Sequence, residues 1–264
     1  MRRAHLELPY IALVASLYAL GKLATAFIPT PWGTGQLLIF IIIPVFFAFY
    51  MRPLSIGLAA ALGTFIGDSV FLTSFGLTNP LLSLIAGVPA NFVGFYLMAW
   101  WFRKFKSWNA FALGSFISLL IGNFIAAAGV VFYLSMFIPS LIVGGLDVKL
   151  ALILGFTLFW HVTMYPLVII LNPIIFKLAN PYVSSKLRGL TPPTWALSKP
   201  SFGLPMFIIA LFFVAIFGLL QFTGIGEALS IASPTGTKET LAFLSLACSI
   251  ISFIALTFTS ISKR

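Results

Sequence analysis

The chain has 264 residues, of which 61% are hydrophobic and only 8% charged. A soluble domain carries about 25% charged residues, so the composition excludes an ordinary soluble globular protein and predicts a polytopic membrane protein. The formal charge of +10 is assigned to loop lysines and arginines that set topology, not to a nucleic-acid partner, and the one cysteine, Cys248, has neither a disulfide partner nor a metal-ligating companion.

Apolar runs predict eight helical spans, at 9–28, 37–51, 54–75, 80–102, 109–137, 149–177, 204–223 and 240–261. The expected fold is all-α: a polytopic membrane helix bundle with a six-span core (1–180), a cytoplasmic linker rich in Pro, Ser, Lys and Arg (181–203), and a two-span C-terminal hairpin (204–264). With the N-terminus inside, the inner side receives Arg2, Arg3, Arg52, Arg103, Lys104, Lys106, Lys177, Lys186, Arg188, Lys199, Lys263 and Arg264. The outer side receives only Lys149 and Lys238. That asymmetry predicts a multi-pass protein of the cell membrane with both termini cytoplasmic. The leader Met1-Arg-Arg-Ala-His-Leu-Glu7 runs into a full-length span without a cleavage pattern, so the first span is expected to be retained.

Span one carries Ala12, Ala15 and Ala19, a small-residue stripe, and then Lys22. The loop that follows, Ile28-Pro-Thr-Pro-Trp-Gly-Thr-Gly-Gln36, combines turn formers with Trp32 and Gln36 and is expected to cap the outer face. Span three places Gly57, Ala60, Ala61, Thr64 and Asp68 on one helical face, with Gly63 and Gly67 on an adjacent one. Asp68 is the acid that lies deep inside an apolar run. A carboxylate there costs about 2.5–3.5 kcal/mol on insertion scales, so it should face protein or trapped water. Asn79 lies in the next outer loop, Asn91 in span four, Asn123 in span five, and Trp160 and His161 in span six. Trp100, Trp101 and Trp108 are read as an interfacial belt at the inner boundary. Pro166 and Asn172-Pro173 are expected to kink span six or end it early, and the hairpin is apolar and without internal ionisable groups.

Helical rise converts position into depth. Lys22 lies ~20 Å, Asp68 ~21 Å and Asn123 ~21 Å from the inner ends of their spans. Asn91 lies ~16 Å and His161 ~18 Å below their outer ends. The set therefore falls between the bilayer middle and its outer half, which predicts a polar chamber towards the outside. Trp32, Gln36, Asn79, Asn91, Asn123, Trp160 and His161 are the candidate substrate contacts, through stacking and hydrogen bonds. Lys22 and Asp68 are read as an intramembrane pair, and both a structural role and a ligand-contacting role remain open for it. No catalytic residue, cofactor or metal is predicted.

The six-span unit, over about residues 8–180, resembles the substrate-binding (S) components of energy-coupling factor (ECF) transporters. The resemblance rests on Ala15 and Ala19 in span one, the Pro/Gly-rich loop with Trp32, and the run Pro44-Val-Phe-Phe-Ala-Phe-Tyr-Met-Arg-Pro53 through Gly57, Gly63, Gly67 and Asp68. Two departures stand out: Arg52-Pro53 replaces a usual Gly-Pro turn, and six spans are the family norm. The resemblance implies capture of a vitamin-like small molecule near the outer face. It also implies a membrane coupling subunit meeting the Ala12/Ala15/Ala19 face, and separate ATPase subunits. This chain has no G-x-x-x-x-G-K-[ST] phosphate loop of its own. The competing reading is a stand-alone secondary transporter using Asp68 and His161 for ion coupling, although no inverted repeat is visible. A membrane enzyme has less support, since H-E-x-x-H, G-x-S-x-G and paired acids are all missing from the sequence.

Overall fold

The computed structural model describes residues 2–141, 145–186, 190 and 192–261. Arg188, Lys263 and Arg264, expected on the inner side, lie outside the described residues. The long helices are α1 (Arg2–Ala24), α3 (Pro53–Phe75), α4 (Pro80–Lys104), α5 (Trp108–Phe137), α6 (Leu146–Lys186), α7 (Leu204–Phe222) and α9 (Thr237–Ile261). Two short helices complete the bundle, α2 (Ile39–Ala48) and α8 (Gly224–Ala232). Among the described residues seven helices are long and apolar enough to cross a membrane. Eight spans were expected, and the difference is α2. At helical rise it is about 15 Å long, half the ~30 Å of a hydrocarbon core. The preceding Pro29, Pro31, Gly33 and Gly35 favour turns, so the N-terminal half of that return is irregular.

Small residues set the packing of the core. Helices α1 and α3 run parallel: Gly63 faces Ala15, and Gly67 faces Ala19 and Lys22. A Cβ on Gly63 would sit 2.7 Å from the Ala15 carbonyl oxygen. Ala15 and Ala19 are buried in this contact, and only Ala12 of that stripe is exposed. The face expected to dock a coupling subunit is therefore internal for two of its three residues, because span three brings its own glycines against it. On its other sides α3 crosses α4 at Gly57 and Phe92, and α4 crosses α5 where Gly94 approaches Gly122 and Ala86 approaches Gly129.

Helix α6 runs for 41 residues with Pro166, Pro173 and Pro181 inside it. The helix does not end at Pro173, and it continues into the segment read as a linker. Pro166 cannot donate to the carbonyl four residues earlier, Val162. The Cys248 thiol donates to that oxygen at 3.2 Å, from α9. Further on, the Asn172 amide donates to the Ile42 carbonyl of α2 at 2.9 Å.

The C-terminal hairpin shares the core formed by α1–α6. Phe213 of α7 packs edge-to-face against Phe116, and the Tyr165 hydroxyl contacts the Met206 sulfur at 3.5 Å. Residues 194–197 form a 3₁₀ turn whose Trp195 joins an aromatic cluster with Phe49, Phe102 and Trp108 at the end of the bundle opposite the 25–38 loop. The Trp108 indole donates to the Ser198 carbonyl at 3.1 Å. Trp108 is buried, contrary to its expected place in an exposed belt, because the 192–203 segment folds back over it. Exposed Arg52, Arg103, Lys104, Lys106, Lys177 and Lys199 surround this basic end.

The α1–α3 crossing has no room for a larger residue. Gly63→Val should lower stability by about 1–3 kcal/mol through overpacking, measured by thermal or denaturant unfolding in detergent. Gly218→Val should change it little, since a Cβ there meets nothing within 4 Å.

Candidate functional site

Helices α3 and α4 each widen at the same level. Gly67–Phe71 and Ser83–Gly87 are π-helical turns. Such turns insert an extra residue and recur at functional sites. In α3 the Asp68 carbonyl is taken up by the Thr73 hydroxyl at 2.9 Å. The two widened turns face each other across the Asp68 carboxylate. Its Oδ2 accepts a hydrogen bond from the Ser83 hydroxyl at 2.7 Å, and a Cβ on Gly87 would lie 3.0 Å from that oxygen. Oδ1 pairs with the Lys22 ammonium at 2.6 Å, each side chain being 7% exposed. Gly67 leaves room for the lysine stem, since a Cβ there would stand 3.0 Å from Lys22 Cδ. Both charges are thus paired and hydrogen-bonded, the condition for keeping an ion pair out of water.

The loop after α1 folds over this pair. The Thr30 amide donates to the Gly35 carbonyl at 3.1 Å, and the Leu37 amide to the Ile28 carbonyl at 2.9 Å, closing a tight hairpin. Gly33 and Gly35 hold φ values of +72° and +75°, a region that favours glycine. A side chain at Gly35 would also press on the Trp160 ring, 3.0 Å away. The Gln36 amide nitrogen donates to the Lys22 carbonyl at 2.6 Å and to the Thr25 hydroxyl at 3.0 Å. The Gln36 backbone carbonyl accepts from the Trp160 indole at 3.1 Å. A second loop joins the cover where the Gly35 amide donates to the Leu77 carbonyl at 2.9 Å.

Beneath this cover lies a cavity bounded by α1, α3, α4, α5 and α6. Its volume is about 90 Å³, several times what one water needs, and the whole atom-free recess including its mouth is about 790 Å³. Ala86, Gly87, Ala90 and Gly94 of α4, with Gly122 of α5, create the space by having little or no side chain. Lys22, Asp68, Gln36, Asn91, Asn123 and Trp160 all line it. Asn91 is satisfied: its amide donates to the Gly87 carbonyl at 2.9 Å, and its Oδ1 accepts from the Tyr18 hydroxyl at 3.0 Å. Two groups are not. Gln36 Oε1 and Asn123 Nδ2 are buried without a hydrogen-bond partner, on residues 2% and 6% exposed.

Three other residues expected at the site lie elsewhere. Trp32 stands one layer behind, its ring tilted at 38° against Phe156 with centroids 4.4 Å apart, and Phe156 in turn stacks on Trp160. Asn79 caps α4 by accepting from the Leu82 amide at 2.9 Å and donates to the Tyr133 hydroxyl at 2.9 Å. His161 is fully buried among Phe116, Tyr165 and Phe213, with neither ring nitrogen hydrogen-bonded. One residue after Trp160 on a helix means a turn of about 100°, which carries His161 towards the hairpin instead of the cavity. Ser83, Gly87 and Tyr18 were not singled out in the sequence, where they read as ordinary small or aromatic membrane residues.

Among the described residues no three His, Cys, Asp or Glu side chains come together as a metal site. Comparison with protein-family models, with curated proteins and with solved structures gave no match to this chain.

Removing one partner of a buried pair leaves a charge stranded. Lys22→Met should therefore cost about 3–5 kcal/mol in detergent unfolding. The double variant Lys22→Met with Asp68→Leu should recover most of that loss, and a double variant as unstable as the single one would show that the pair does not account for it.

Proposed function

We propose that the chain is a substrate-capture subunit of an ATP-driven micronutrient importer in the cell membrane, holding a small polar ring compound in the covered cavity. The supporting observation is the cavity itself: a mainly apolar recess whose lining includes Lys22, Gln36, Asp68, Asn91 and Asn123. Trp160 supplies a flat aromatic wall, and the 25–38 and 76–79 loops supply a cover. The basic end, with Arg52, Arg103, Lys104, Lys106, Lys177 and Lys199, faces the cytoplasm on the positive-inside rule. The loop-covered cavity then opens towards the outside, and both termini are cytoplasmic.

In this reading the chain binds and a coupling subunit with ATPases performs work. The buried state of Ala15 and Ala19 moves the coupling contact to another part of the surface. The gradient-driven alternative relied on Asp68 and His161 acting together. Asp68 contacts Lys22 and Ser83, whereas His161 contacts only a hydrocarbon and aromatic cage, so no hydrogen-bonded relay links them among the described residues.

Purified protein should release a tightly bound small molecule on denaturation, detected by native mass spectrometry. Trp160→Ala should weaken its binding by about 1 kcal/mol or more, the worth of one stacking contact. His161→Phe, outside the cavity, should leave affinity unchanged. Gradient-driven uptake by proteoliposomes containing this chain alone would overturn the capture role.

A further inference from the structure

We propose that the α3–α4 edge of the basic end is a docking surface for anionic phospholipids, which lay their acyl chains on its apolar stripes and their phosphates on Arg52, Arg103, Lys104 and Lys106. Leu54, Leu58 and Leu62 are exposed at four-residue spacing along α3, and Tyr96 and Trp100 along α4. The Phe92 ring stacks on Tyr96 and lies against Gly57 of α3, which brings the two stripes together. Both stripes end in cations. Arg52 immediately precedes α3, Arg103 and Lys104 close α4, and Lys106 follows it, all four exposed. The Lys104 ammonium folds back along its own stripe, 4.7 Å from the Trp100 ring centroid and 5.2 Å from that of Phe105. Exposed aromatic rings with a lysine at the end of a span mark the level of the headgroups.

The arginines are held in place with donors to spare. Arg103 Nη2 donates to the Tyr50 carbonyl at 3.1 Å, two residues before Arg52, whose Nε donates to Glu7 at 3.0 Å. A guanidinium carries five N–H groups and meets a phosphate through two of them at once. Among the described residues Glu7 is the one acid at this end, and Arg52 already takes it. Asp68 lies in the interior, and Asp147, Glu227 and Glu239 lie at the opposite end. The edge therefore has an excess of positive charge, which attracts a lipid of net negative charge. A phosphatidylcholine brings its own quaternary ammonium and gains less. An acidic polypeptide would answer the charge and leave the adjoining leucine and aromatic stripes unused. A phospholipid meets apolar and then cationic surface in the order in which it presents its own parts.

The test titrates dioleoyl phosphatidylglycerol or dioleoyl phosphatidylcholine into the purified full-length protein in detergent and reads lipid adducts by native mass spectrometry. The first phosphatidylglycerol should bind at least tenfold tighter than the first phosphatidylcholine. Each cation at a membrane surface is worth about fivefold in affinity for anionic lipid, so Lys104→Gln with Lys106→Gln should cut that preference at least fivefold. Lys104→Gln alone repeats the measurement should the double variant be unstable. Lys149→Gln, at the opposite end, should leave the preference unchanged. Equal binding of the two lipids overturns the proposal, and so does a preference that survives the double substitution. Binding of polyglutamate through these lysines without any preference for phosphatidylglycerol would assign the surface to an acidic protein and overturn it as well. The capture reading stands or falls separately, since none of these outcomes touches what the cavity holds.

Discussion

Lys22 and Asp68 form the constraint around which the rest of the α1–α6 bundle is arranged. A paired carboxylate and ammonium at this depth are tolerated only where geometry satisfies both. That requirement propagates outward through small residues. Gly67 gives way to the lysine stem, Gly87 to the carboxylate, and Ser83 supplies the second hydrogen bond. Gly63 lets α1 approach closely enough for the lysine to arrive at all. The widened turns of α3 and α4 stand at the same level, so the interruption of regular helix and the placement of charge coincide.

The cavity follows from the same packing. Small residues on α4 and α5 bring the two backbones together at Gly94 and Gly122, and leave a recess on the side facing α1 and α6. Trp160 closes one wall, and Trp32 holds that wall from behind through Phe156. Trp32 is therefore a buttress, and its influence on the recess passes through two aromatic rings.

Much of this level was legible in the sequence, because helical rise is nearly constant and turns residue number into depth. Lys22, Asp68, Asn91, Asn123 and His161 were grouped by that arithmetic, and the first four line one cavity together with Trp160. Rotation about the helix axis was not legible to the same degree. His161 shares the depth of its neighbour but points to the hairpin, whose position depends on tertiary contacts such as Phe116 with Phe213. Periodicity also identified Ala15 and Ala19 as sharing a face without saying what would cover it. In the event the cover is α3 of the same chain. The shortness of α2 and the return of Trp195 onto Trp108 had weaker signals: an apolar run with turn formers before it, and an aromatic residue inside a polar stretch.

The bond between the Gly35 amide and the Leu77 carbonyl ties together the two loops over the recess. Parting the helices would expose the ion pair and break the glycine-lined crossings. Parting the two loops breaks a neutral backbone hydrogen bond, a net matter of about 0.5–1.5 kcal/mol. Gly33 and Gly35 already hold left-handed backbone on either side of Thr34, while Trp32 stays anchored on Phe156. The two loops of the cover are thus joined by a neutral backbone bond, whereas the ion pair beneath is held by helices at glycine-lined crossings.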